Sequence, residues 1–194
     1  MRTRRLITGL GLVALLSGGI AATQVGTAPA AEAFVKLGCR YSGTNPTLYY
    51  QIGSLVTSVR RTATGSGAAR WNTVAVPGTF VAWTPGKPVN VAVTEWSSVD
   101  AYEAETTGTC SRGFWSGSKT TLTWNSPSPG GLSGNATAMR MVATHELGHS
   151  YGLGHMKTTC SGTRTVMVQG STKWSCNWGT EPWTDDINGV NAIY

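Results

Sequence analysis

Residues 145–155 read HELGHSYGLGH. His145 and His149 are four residues apart, which on a helix of 3.6 residues per turn separates them by about 40°, so both imidazoles project from one face. Nitrogens placed this way can share one tetrahedral zinc ion. A catalytic zinc takes three protein ligands and keeps its fourth position open for water. His155 is the candidate third ligand, because Gly152 tolerates the left-handed conformation that ends a helix and lets the chain turn back sharply. Glu146 falls beside the open position. There its carboxylate can take a proton from zinc-bound water, whose pKa the metal lowers to about 7, as that water attacks a peptide carbonyl. The proton can later pass to the departing amine. All three histidines of the chain lie in this one segment, which weighs against an exposed helix with incidental histidines.

Upstream, Met139, Val142, Ala143 and Leu147 follow helical spacing, so the motif is expected on a helix from Ala136 to Tyr151 with Ser133 or Asn135 as its cap. The sequon Asn135-Ala136-Thr137 reads as that cap rather than as a glycan acceptor. Residues 125–134, with two prolines and three glycines, form a loop. Short β-like runs at Thr79–Thr84, Val89–Glu95 and Thr120–Trp124 predict a sheet. Earlier still, Leu48-Tyr49-Tyr50-Gln51-Ile52 predicts a strand feeding a helix that starts at Leu55 behind a Ser54 cap, the opening of an α/β layer. Thr64-Gly65-Ser66-Gly67 should break or kink that helix, since a mid-helix glycine costs about 1 kcal/mol relative to alanine. At the other end, Trp183–Tyr194 predicts a closing helix with Thr184 as cap. Asp185 and Asp186 suit its positive start, and Ile187, Val190, Ile193 and Tyr194 form its apolar stripe.

The 194 residues, 40% hydrophobic and 12% charged, suit one globular domain rather than a disordered chain. The first 33 residues read as a signal peptide: Arg2, Arg4 and Arg5, an apolar stretch from Leu6, then small residues with cleavage expected after Ala33. The glycines and Ser17 in that stretch make a membrane anchor the weaker reading, and Arg4-Arg5 leaves Sec and twin-arginine export both open. The expected product is a secreted, monomeric domain spanning residues 34–194, without a membrane anchor. Its basic residues are scattered, with Arg60-Arg61 the one mature pair, which argues against nucleic acid as a partner. Cys39, Cys110, Cys160 and Cys176 make an even count in an exported chain, favouring two disulfides. Of three connectivities, Cys160–Cys176 is preferred because it closes a loop of moderate length, leaving Cys39 for Cys110.

The motif resembles the signature HExxHxxGxxH of the metzincin metallopeptidases, matched at His145, Glu146, His149, Gly152 and His155. The closing segment looks like that of matrixin-type catalytic domains, so the nearest resemblance is to a matrixin-like bacterial secreted peptidase. It implies a mixed α+β/α/β zincin domain with a twisted mixed sheet, an active-site helix carrying HExxH and a C-terminal closing helix. It also implies a methionine turn beneath the zinc, for which Met167 is the candidate. Met156 stands where matrixins usually have serine. No histidine remains for a second, structural zinc, so one catalytic zinc is expected; calcium is possible, although Asp100, Glu103 and Glu105 make no recognisable loop. The implied substrate is a protein or peptide lying extended along a sheet edge between Glu105 and Ser118. The segment after Met167, with Trp174, Trp178 and Trp183, would wall the pocket past the scissile bond, although core packing is the commoner fate of tryptophans. The expected activity is that of a secreted zinc metalloendopeptidase. Two alternatives are an inactive zinc-stabilised binding module, against which the retained Glu146 argues, and a zinc amidase acting on cell-wall peptides.

Overall fold

The computed structural model describes residues 34–97, 102–126, 128, 131–170 and 172–194. The expected signal peptide, residues 1–33, and Asp100 lie outside the described residues. In chain order the elements are β1 (Val35–Lys36), β2 (Thr47–Ile52), α1 (Ser58–Asn72), β3 (Thr79–Ala82), β4 (Val91–Trp96), β5 (Ala104–Thr107), β6 (Cys110–Ser111), β7 (Phe114–Trp115), β8 (Thr120–Asn125), α2 (Ala136–Tyr151), β9 (Leu153–Gly154), α3 (Thr172–Ser175) and α4 (Thr184–Asn191). None of the described helices is long and apolar enough to cross a membrane.

The main sheet has the order β3-β2-β4-β8-β5. Its first four strands run parallel, and β5 lies antiparallel on β8 as the edge. Strand period decides what each face shows. Leu48, Phe80, Val91, Val93, Leu122 and Trp124 share one face through the registers Leu48↔Phe80, Tyr50↔Val91 and Val93↔Leu122, and all six are buried. Tyr49, Gln51, Val81, Ala92 and Thr121 alternate onto the opposite face and are themselves half-buried or exposed. Both long helices are therefore needed on the first face. The Trp124 indole of β8 donates to Thr64 Oγ1 of α1 at 3.1 Å, and the Trp71 indole of α1 donates to the Thr144 carbonyl of α2 at 2.8 Å.

Two expectations for α1 are corrected. The helix begins at Ser58, with Thr57 rather than Ser54 as its N-cap residue, because the carboxylate of Glu95 accepts from the Thr57 amide at 2.7 Å. It also runs unbroken through Gly65 and Gly67. A Cβ on Gly67 would lie 2.8 Å from both Ala143 Cβ and the Thr144 amide nitrogen of α2, so close helix packing compensates the propensity cost of glycine. In α4 the first residue is Thr184 and the N-cap is Trp183; Asp186 reaches back to accept from the Trp183 amide at 2.8 Å, so Thr184 is not the cap. Finally, the sheet edge is shorter than the expected 105–118. Beyond Thr107 the chain folds into the separate β6–β7 hairpin.

The two disulfides are Cys39–Cys110 and Cys160–Cys176, the preferred pairing. The first ties the N-terminal strap, which includes β1, to the β6–β7 hairpin across 71 residues of sequence; the second closes a loop of 16.

Candidate metal centre and cleft

The motif helix α2 is capped by Asn135, whose side chain accepts from the Ala138 amide at 3.0 Å, so the sequon asparagine serves as the cap. Most of the helix is buried, from Thr144 to Tyr151 without a break. Neighbours bond its carbonyls: Trp71 at Thr144, Thr106 Oγ1 at Glu146 (2.9 Å) and the Trp115 indole at Ser150 (3.1 Å). These contacts fix the rotation of the helix, and hence which way residues 145, 146 and 149 point. The helix ends at Gly152, whose φ of 108° only glycine adopts readily, and its amide donates to the carbonyls of Gly148 and His149. A Cβ at Gly152 would overlap the carbonyl oxygen of Cys39. The turn is held from outside as well, for β1 pairs with β9 and the Leu37 amide donates to Gly152 O at 2.7 Å.

This turn brings His155 back to the helix. The three Nε2 atoms stand 3.1 Å (145–155), 3.2 Å (145–149) and 3.0 Å (149–155) apart. Two of the rings have their tautomer set by backbone carbonyls: His145 Nδ1 donates to Val166 O at 2.6 Å and His149 Nδ1 to Leu153 O at 2.7 Å. Their Nε2 atoms are consequently bare acceptors, and lone pairs converging at this range repel one another unless a cation lies among them. Zn–N bonds of about 2.0–2.1 Å in a tetrahedron would set the nitrogens about 3.3–3.4 Å apart, close to the observed triangle. A neutral three-histidine donor set with carbonyl acceptors behind it fits zinc. Burial, above all, lowers the histidine pKa values: His145 falls well below the usual range and His149 falls to about 4, with the Lys173 charge pushing the same way. Desolvation lowers the His155 pKa as well, so all three rings favour the unprotonated form that a metal requires.

Glu146 is buried beside the triad, and its Oε2 has no hydrogen-bond partner. Desolvation raises its pKa to about 7, partly countered by the Thr106 hydroxyl and the charge of Lys173. Both the triad and Glu146 line a cleft of about 980 Å³, at the upper end for ligand pockets. One wall is the edge strand β5, with Ala104, Glu105 and Thr106; the other comes from Gln169, Gly170, Lys173 and Trp174. Met167 is buried beneath α2, its sulfur so close to Gly148 that a Cβ there would overlap it.

A model of the matrixin family matches residues 79–194. The chain belongs to the matrixin family. No curated protein matches it in sequence. Matrixins are zinc-dependent peptidases, and this matrixin carries the donor set such a metal requires.

In this matrixin the structure brings His145, Glu146, His149, His155, Gly152 and Met167 into one region. The three tryptophans separate: Trp174 lines the cleft, Trp178 is buried, and Trp183 packs partly buried against the core with Arg164 over its ring. The groups that orient these side chains carry no signal in the sequence. Asp186 accepts from Thr165 Oγ1, from the Val166 amide at 2.9 Å and from Trp183, so α4 fixes the segment whose Val166 carbonyl orients His145. In sequence Asp186 shows only as a charge at a helix start. Nothing in the sequence marks Lys173, since a lone lysine in a polar stretch gives no signal of burial.

Proposed function

We propose that the chain is a secreted zinc-dependent endopeptidase in which His145, His149 and His155 hold one zinc ion and Glu146 is the general base. The observation that carries this reading is the convergence of three Nε2 atoms at 3.0–3.2 Å beside a buried carboxylate oxygen that has no partner. A scaffold that used the metal for stability alone would need the histidines but not a buried carboxylate, which is costly to desolvate.

The ion would supply Lewis-acid polarisation of the peptide carbonyl and make water a better nucleophile at neutral pH. The remaining work falls to the chain. An extended peptide adds to the free edge of β5, where backbone hydrogen bonds hold it and set its scissile carbonyl over the triad. Glu146 accepts a proton from the attacking water as the new C–O bond forms, and returns it to the amine nitrogen as the C–N bond breaks. Thr106, bonded to the Glu146 carbonyl from β5, keeps base and substrate strand in register. Val166 and Leu153 hold the imidazole tautomers through both steps. The motif helix α2 and the C-terminal α4 take the roles of active-site and closing helix. Secretion, with residues 1–33 as signal and 34–194 as the mature monomer, is supported by the N-terminal composition and by two disulfides.

The test is release of fluorescence from quenched peptides and casein by purified protein, comparing wild type, chelator-treated protein and Glu146→Ala with zinc content measured. Chelator-sensitive cleavage that is lost in the zinc-loaded variant is the expected result. A zinc-loaded wild type that cuts nothing would overturn the reading in favour of a binding module or a cell-wall amidase.

A further inference from the structure

Lys173 occupies an unusual place for a lysine. It is only 7% exposed, yet it lines the cleft beside the triad. Its ammonium donates to the Val168 carbonyl at 2.9 Å and, at the limit of a hydrogen bond, to Gly170 O at 3.5 Å. Both acceptors are neutral. An ammonium has three donors, and among the described residues no carboxylate lies within ion-pair distance of it. Glu146 and Asp186 act on it only at longer range, and burial lowers its pKa to about 8, which leaves it cationic at neutral pH. Buried charges are normally paired, so an unpaired one in the wall of a cleft calls for an anion brought by the ligand. Apart from the histidines, the other described lining residues carry no basic group, whereas the facing wall presents Glu103 and Glu105, and Glu146 lies beside the triad. The half-exposed Trp174, next in sequence, also lines the cleft and offers an apolar surface for a side-chain stem.

We propose that Lys173 is a specificity-determining residue that receives the carboxylate of an aspartate or glutamate adjoining the scissile bond. This rests on the peptidase reading above. A lysine serving only as a strut for residues 168–170 would leave the enzyme indifferent to the charge of that substrate side chain; a lysine reading a carboxylate separates Glu from its isostere Gln. Because the ion pair forms on binding and persists through the reaction, its loss should appear in KM more than in kcat.

The experiment uses end-blocked quenched peptides that differ only in Glu, Gln or Leu at each position flanking the cleaved bond. Wild type should cut one Glu peptide with kcat/KM about ten-fold or more above its Gln twin, the worth of a charge-assisted hydrogen bond. In Lys173→Met, with zinc content and unfolding midpoint matched to wild type, the two rates should converge through a rise in KM for the Glu peptide. A parallel measurement follows tryptophan fluorescence as the same peptides bind zinc-loaded Glu146→Gln protein, where the Glu peptide should bind about ten-fold tighter. Equal handling of Glu and Gln by wild type at every position, or discrimination that survives in a folded Lys173→Met, overturns the proposal. Cleavage without discrimination defeats this inference alone; discrimination in binding without cleavage defeats the peptidase reading and leaves the carboxylate site standing.

Discussion

The floor and the far wall of the cleft are built in opposite ways. The floor is α2, sixteen residues whose backbone groups satisfy one another within the helix and whose last turn stops on a left-handed glycine. Among the described residues from Lys157 to Trp178, the far wall has one four-residue helix and, apart from the Met156–Val168 bridge, no strand pairing, so its carbonyls need partners from elsewhere. It is held by the Cys160–Cys176 disulfide, by the Lys173 ammonium and, through Thr165 and Val166, by Asp186 of α4. A regular element gives fixed positions to His145, Glu146 and His149, the groups proposed to hold a metal and move a proton. An irregular wall pinned at a few points can vary in sequence without disturbing them, which suits it to discriminate among substrates.

The largest effect should come from breaking the end of the floor. Gly152→Ala would put a Cβ into the Cys39 carbonyl at a φ of 108°, combining strain with overpacking. A loss of more than about 4 kcal/mol is expected, seen as a collapse of the denaturation midpoint together with lost zinc. Retained zinc at an unchanged midpoint would show that the turn is not the constraint described here. The wall should respond differently. Replacing Cys160 and Cys176 together by serine frees a loop worth about 3 kcal/mol by chain entropy. Zinc content should stay at wild-type level while peptide preference broadens, and zinc lost in step with stability would erase the distinction between floor and wall.

Asp186 links the two and gives a pH signature. Burial raises its folded-state pKa from 3.8 to about 6 despite three hydrogen bonds to the carboxylate. Between those values the folded chain binds the proton better than the unfolded one. Its contribution is therefore full below about pH 4 and is lost as pH rises through about 6, by about 3 kcal/mol in all. Denaturant midpoints at pH 4.5 and 7 should show wild type gaining on Asp186→Asn in acid; a pH-independent gap would mean the carboxylate is ionised throughout. The smallest effect belongs to Trp174→Ala. A side chain 43% exposed should change stability by less than about 0.5 kcal/mol, while weakening peptide binding measurably in a fluorescence or calorimetric titration.

The same contrast explains what could be read from sequence. Helix α2 has the bounds its spacing predicts, Ala136 to Tyr151, and the convergence of the three histidines around the Gly152 turn follows from the motif because side-chain identity carries that chemistry. The preferred cysteine pairing also holds. What escaped was the support made of backbone acceptors. The carbonyls of Val166, Leu153 and Val168 orient His145, His149 and Lys173, and any residue type supplies a carbonyl. Gly67 misled for a related reason: its value lies in the approach of α2, which helix propensity along α1 cannot express.

The shortness of β5 has a further consequence, for solubility. An exposed strand edge that accepts a substrate backbone is equally a template for a second copy of the same chain, and long apolar edges aggregate. At four residues, with Glu105 in the middle of the run Ala-Glu-Thr-Thr, this edge is too short and too polar to nucleate a continuous sheet between molecules. That protection would also limit how many backbone hydrogen bonds the proposed peptide substrate can make there, leaving most of any preference among peptides to side-chain contacts across the cleft.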